Sequence, residues 1–188
     1  MTAFSPQITH NCRDLEHLFN RCFASSENTV LRGGASEPLY APARGDQPAV
    51  IAFTQNYFAS ALHEVAHWCV AGPQRRAQED YGYWYAPDGR SADQQAEFER
   101  VEARPQALEW IFSRAAAWRF RVSADNLTQN LGPSRAFKLA VANQAIAICH
   151  NGLAPRARNF AEALLEYYRP ERDRNWLLDE QHFRGESL

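Results

Sequence analysis

His63-Glu64-Val65-Ala66-His67 constrains this chain more than any other stretch. Two histidines four apart share one face of an α-helix, with a glutamate beside the first. Imidazoles at that spacing can close on one divalent metal. Residues 54–62 before the motif and Trp68 to Ala71 after it can carry a helix. Gly72-Pro73 then ends it, with glycine suited to the left-handed position past the C-cap and proline unable to continue. The competing reading is a core helix that happens to carry two satisfied histidines.

At 188 residues the chain is long enough for one sizeable core. A single domain, 1–188, is the simplest expectation. Apolar residues make up 45% and aromatic residues 12%, which indicates a packed globule. A net charge of −2 provides no global drive toward nucleic acid or an anionic membrane. No stretch approaches the roughly 20 apolar residues of a membrane span. Residues 1–7 lack the basic and apolar segments of a signal peptide, so a cytoplasmic location is expected. Cys12, Cys22, Cys69 and Cys149 form no CxxC pair and read as small buried apolar residues of a reduced protein. Asn126-Leu127-Thr128 fits a glycosylation acceptor, relevant only to a secreted chain.

Leu15, Leu18, Phe19, Cys22 and Phe23 follow helical spacing, which predicts an amphipathic helix over 11–24. His10 and His17 lie here and read as solvated. A turn-rich segment follows, and then Ala49-Val50-Ile51-Ala52-Phe53-Thr54 predicts a strand feeding the motif helix. Tyr81-Gly82-Tyr83-Trp84-Tyr85 alternates into an aromatic run, and Pro87-Asp88-Gly89-Arg90 makes a turn. This is a strand with a hydrophobic face, an aromatic wall near a site, or both. Ser91 can cap a helix running to Ala117, either kinked at Pro105 or restarted near Arg104. Ser134 can cap a helix over 135–150, stopped by Asn151-Gly152, and a last helix spans 156–168. The tail after about residue 169, with Trp176, Leu177 and Leu178, is expected to be peripheral, packed on the surface or loose over it. Helices dominate and strands are few, so the fold class is α+β, mainly helical with a small sheet.

His63 and His67 need at least one further protein ligand, because catalytic metal sites keep about three and leave positions open. Glu102 is the candidate, 35 residues after His67 on the next predicted helix. Glu99, one turn before it, and Glu109, two turns after, are rivals. Gln106 is placed to hydrogen-bond Glu102. Two chemistries remain open. Zinc would lower the pKa of a bound water, with Glu64 as general base in peptide hydrolysis. Ferrous iron would leave adjacent positions for oxygen and substrate. A third reading is a non-catalytic interaction protein whose metal ties two helices together. Structural zinc sites are closed by four ligands, and Cys69 lies on a different helix face from His67.

Several blocks resemble the elongation factor P hydroxylase family. They are the run from Tyr57 through His63-Glu64-Val65-Ala66-His67 to Gly72, Gly82-Tyr83-Trp84-Tyr85-Ala86-Pro87-Asp88-Gly89-Arg90, the run from Phe98 through Glu102 to Trp110, and Asp125-Asn126-Leu127. The likeness extends from the first helix to the last and is weakest after Tyr168. It implies a bacterial cytoplasmic enzyme of monooxygenase type. Its substrate would be the modified lysine of translation elongation factor P, after a β-lysyl group has been attached. It also implies a zincin-like metal-binding helix pair, unrelated to the barrel of 2-oxoglutarate oxygenases. The family's metal ligands carry over onto His63, His67 and Glu102, and Glu64 matches as well.

Hydroxylating an unactivated carbon needs a redox-active metal, so Fe(II) is the expected cofactor, although zinc, cobalt or nickel can displace it. Glu64 is then expected to orient or protonate at the metal rather than to activate water for hydrolysis. Tyr83, Trp84, Tyr85 and Asp88 are expected on the substrate side, where aromatic and acidic groups suit a long cationic side chain. Dioxygen and a reductant complete the expected partners. No glycine-rich nucleotide loop points to the identity of that reductant.

Overall fold

A computed structural model describes residues 9–80, 91–124, 133–185 and 188. The segments that carry Tyr83, Trp84, Tyr85 and Asp88, and Asp125-Asn126-Leu127, lie outside the described residues. The element order is α1 (Cys12–Phe23), β1 (Thr29–Ala35), β2 (Leu39–Ala41), β3 (Ala49–Thr54), α2 (Phe58–Val70), α3 (Pro73–Arg76), α4 (Ala92–Ala115), α5 (Arg135–Asn151), α6 (Pro155–Tyr168), α7 (Arg174–Leu177) and a 3-10 turn, Glu180–Phe183. The fold is α+β, mainly helical with a small three-stranded sheet.

The sheet has the order β1-β3-β2, with β1 parallel and β2 antiparallel to the central β3. Ala49, Ile51 and Phe53 alternate inward along β3, the period of two that one buried face demands. Asn11 caps α1, its side chain accepting from the Arg13 N–H. Leu15, Leu18, Phe19 and Phe23 form the buried stripe of α1. The Phe19 and Phe23 rings meet Trp68 of α2 at centroid distances of 5.2 and 4.9 Å.

Both ends of α2, the motif helix, depart from expectation. Residues 54–57 form a turn instead of a first helical segment. Gln55 sits at φ 46°, in the left-handed region that costs a non-glycine residue about 1–2 kcal/mol. It is held there by two backbone hydrogen bonds to the end of β1, Gly34 N–H to Gln55 O (2.7 Å) and Gln55 N–H to Ala35 O (2.8 Å). This turn swings the chain from β3 into α2. At the other end Gly72 has φ −72°, not a left-handed value. It is extended and precedes α3, with Pro73 in the first turn, where a missing N–H is harmless. The last carbonyls of α2 are met from outside. The Arg156 guanidinium donates to Cys69 O (3.2 Å) and Ala71 O (2.7 Å) and lies over the Trp68 ring.

Helix α4 is continuous through Pro105, so no new helix starts at Arg104. A Ser91–Gln94 capping box opens it. Ala103, Ala107, Leu108, Ile111 and Phe112 of α4 are buried, and the helix packs on α2, α5 and α6. Ser134 caps α5, and Gly152 at φ 80° ends it, a conformation that glycine adopts without a Cβ penalty.

The tail is less peripheral than expected. Leu177 and Phe183 are fully buried, and Phe183 meets Trp110 edge-on at 5.1 Å. His10 is not a solvated surface group either. Its Nε2 lies 2.7 Å from Ala116 O, and its ring packs among Phe58, Trp118 and Tyr168. All four cysteines are free, with Cys12 and Cys69 buried and Cys22 and Cys149 half-buried.

Candidate metal centre

The histidines of α2 and the carboxylates of α4 face each other across the α2–α4 seam. Increasing residue number along α2 meets decreasing number along α4. His63 contacts Glu109, and His67 contacts Glu102, so the two helices run antiparallel here. The four-residue step of His63 and His67 puts both imidazoles on that seam. Their Nε2 atoms are 3.0 Å apart. Glu102 Oε1 lies 3.1 Å from His67 Nε2, and Glu102 Oε2 lies 3.7 Å from His63 Nε2. One ligand atom from each of His63, His67 and Glu102 falls within 4.8 Å of the others.

Burial is lopsided. The Glu102 side chain is 1% exposed, whereas His63 and His67 are 22% and 20% exposed. The cluster therefore has a closed floor and an accessible histidine side. Gln106, one turn after Glu102, is itself buried and donates from Nε2 to Glu102 Oε2 (3.2 Å) and to Ser123 O (2.7 Å). Its Oε1 accepts from the Ser123 N–H at 3.0 Å. That anchor turns the carboxylate so that Oε1 faces the histidines. Oε1 is buried with no aligned hydrogen-bond donor. Two imidazole nitrogens and a buried carboxylate oxygen converging on one point fit a cation.

The electrostatics agree. Glu64, Glu102 and Glu109 outnumber the two histidines. Burial alone would raise the Glu102 pKa, yet the charge and hydrogen bond of His67, then the charge of His63 and the Gln106 hydrogen bond, hold it at about 2. Burial opposes protonation of His63, but its hydrogen bond to Glu109 and the charges of Glu102, Glu109 and Glu64 raise its pKa well above the ordinary value. Burial pushes the Glu64 carboxyl up, against the lowering charges of His63 and His67. The surrounding carboxylates thus favour a proton on His63 when no cation is bound.

Glu64 is not part of the converging set. With His67 it lines a cavity of about 40 Å³, together with Tyr40, Trp68, Arg75, Arg76 and Asp80. Sequence reasoning missed Tyr40, which comes from an edge strand and pairs with Asp80 through two backbone hydrogen bonds. The two rival carboxylates lie elsewhere. Glu99 accepts from Ser134 Oγ (3.2 Å) and Gln95 Nε2 (3.3 Å), at the junction with α5. Glu109 bonds through Oε2 to His63 Nδ1 at 2.8 Å, the ring nitrogen away from the cluster.

Fold and site together define a two-histidine, one-carboxylate cluster on a pair of packed helices. Among the described residues no helix is long and apolar enough to cross a membrane. A family model described as Elongation factor P hydroxylase matches residues 18–177, which include every residue of the cluster. The chain is also 47% identical over 169 residues to the elongation factor P lysine hydroxylase of Haemophilus influenzae, covering 89% of this chain and 95% of that protein. This chain belongs to the elongation factor P hydroxylase family.

Proposed function

We propose that this protein hydroxylates the β-lysylated lysine side chain of translation elongation factor P at a mononuclear non-haem iron centre held by His63, His67 and Glu102. The observation that carries the reading is the convergence of both Nε2 atoms and a buried carboxylate within 4.8 Å, in a chain of the elongation factor P hydroxylase family. The name of the Haemophilus influenzae relative supports a lysine as the residue modified. The likeness to zincin metallopeptidases, with α2 and α4 as the metal-binding pair, is part of the same proposal. So is a bacterial cytoplasmic setting.

Bound ferrous iron would supply the reductive activation of dioxygen that oxygen insertion into a C–H bond requires and that redox-inert zinc lacks. The balance consumes one C–H bond, one dioxygen, two electrons and two protons, and yields one hydroxyl group and one water. A reductant outside the chain provides the electrons.

The chain's own groups do the rest. Gln106 fixes one oxygen of Glu102 and leaves the other for the cluster. The partly exposed edges of His63 and His67 leave the approach to substrate on their side. Glu64, its pKa raised by burial, is suited to hold a proton beside the cluster and deliver it there. The adjoining cavity is lined by the aromatic rings of Tyr40 and Trp68 and by charges of both signs, Arg75 donating to Asp80 at 2.7 Å with Arg76 beside them. Tyr83, Trp84, Tyr85 and Asp88, aromatic and acidic groups suited to a long cationic chain, take the substrate side in this reading.

The test is direct. The protein is purified without oxygen, loaded with ferrous iron and given β-lysylated elongation factor P, dioxygen and a reductant. Mass spectrometry is expected to show one added oxygen on the modified peptide. A cleaved peptide would instead support a zinc peptidase with Glu64 as base. No change under any metal would overturn both.

A further inference from the structure

Glu109 occupies a position that neither ligation nor packing explains. It is only 7% exposed, and it sits seven residues after Glu102, about 10 Å further along α4. That displacement takes it past the cluster to the far side of the His63 ring, where Oε2 meets Nδ1 at 2.8 Å. A carboxylate acceptor at that distance keeps the ring proton on Nδ1. In the neutral ring Nε2, which faces His67 Nε2 at 3.0 Å, is then the nitrogen with a lone pair for the cluster. We propose that Glu109 is the positioning residue of the centre, locking His63 in the Nδ1–H tautomer and aiming its Nε2 at the metal. This rests on the metal reading given above.

A second feature makes the role testable. Glu109 also lines an open cleft of about 260 Å³ with Tyr57, Ala59, Trp118, Arg119 and Arg121. Truncating Glu109 to alanine joins the cleft to His63 Nδ1. A small carboxylate can enter from solvent, drawn by the two arginines, and stand in for the lost side chain. Rescue of this kind is specific to an acceptor role, since filling a packing defect does not require a charge.

The experiment is cobalt(II) titration by calorimetry and by its visible absorption, on wild type, Glu109→Ala and Glu109→Gln. Each is run in sodium chloride and in sodium acetate of equal ionic strength. Glu109→Ala is expected to bind cobalt about 10–100-fold more weakly, with altered absorption bands. Acetate should recover part of that loss without improving wild type. Glu109→Gln, which keeps an acceptor oxygen but no charge, should fall between the two. Unchanged affinity in Glu109→Ala overturns the proposal, and so does a loss that acetate leaves untouched. If the alanine variant does not fold, unchanged affinity in Glu109→Gln overturns it and weakened affinity supports it. Wild type that binds no cobalt overturns the metal reading and this role together. Wild-type binding with indifferent variants removes the role of Glu109 alone.

Discussion

Replacing Gln106 by leucine removes the anchor of Glu102 while nearly conserving volume. Three hydrogen bonds are lost: 3.2 Å to Glu102 Oε2, 2.7 Å to Ser123 O and 3.0 Å from the Ser123 N–H. The two backbone bonds contribute about 1 kcal/mol each, and one to a charged group about 1.5–3 kcal/mol. Ser123 is exposed, so water recovers much of the first pair. Glu102 is 1% exposed and has no such recourse. The Gln106→Leu variant is therefore expected to lose about 3 kcal/mol, most of it at Glu102. In a chain of this size that lowers Tm by roughly 6–12 °C, read by scanning calorimetry. Released from its anchor, Glu102 can turn away from the histidines, and cobalt affinity should drop about tenfold or more. A Tm near that of wild type, with unchanged metal affinity, would refute the view that Gln106 holds the third ligand.

Arg156→Ala should lower Tm by roughly 4–8 °C, since it strips a charged donor from two α2 carbonyls and a cation from the Trp68 face, about 2 kcal/mol together. Phe183→Ala should cost about 3–5 kcal/mol in a chemical denaturation curve, because the ring is fully buried although it lies in the tail. The metal-free protein should lose stability as pH rises from about 6.5 through the raised His63 pKa, because the folded chain holds that proton more tightly than the unfolded chain does. Thermal melts across that window check the sign, and metal affinity should rise over the same range as the proton leaves. Saturating metal at 100 times its Kd should add about 2.7 kcal/mol, a Tm gain of roughly 5–11 °C that His67→Ala abolishes.

Local rules made much of the helical frame legible. Asn11 and Ser134 announce the starts of α1 and α5, and the Leu15–Leu18–Phe19 stripe announces the buried face of α1. The strand Ala49–Thr54 is readable from its β-branched residues. What could not be read depends on distance through space. Nothing local tells that Gly72 stays extended, or that Arg156, from α6, meets the carbonyls at the end of α2. Pro105 looks like a break, yet tertiary packing along α4 overrides the lost hydrogen bond. Phe183 and Leu177 carry no periodic signal, because each fills a gap made by other elements. At the site, spacing placed His63 and His67 on one face, but Glu99, Glu102 and Glu109 all recur at helical intervals. Only the antiparallel crossing of α2 and α4 assigns Glu102 to the cluster, Glu109 to the back of His63 and Glu99 to the α5 junction.

A single-turnover reaction with isotopically labelled dioxygen and β-lysylated elongation factor P probes the chemistry at its source. With iron-loaded wild type, the labelled oxygen should appear in the modified lysine side chain, and the yield should collapse in the His63→Ala and Glu102→Ala variants. Unlabelled oxygen in the product, or full labelled yield without these ligands, would contradict hydroxylation at the His63–His67–Glu102 centre.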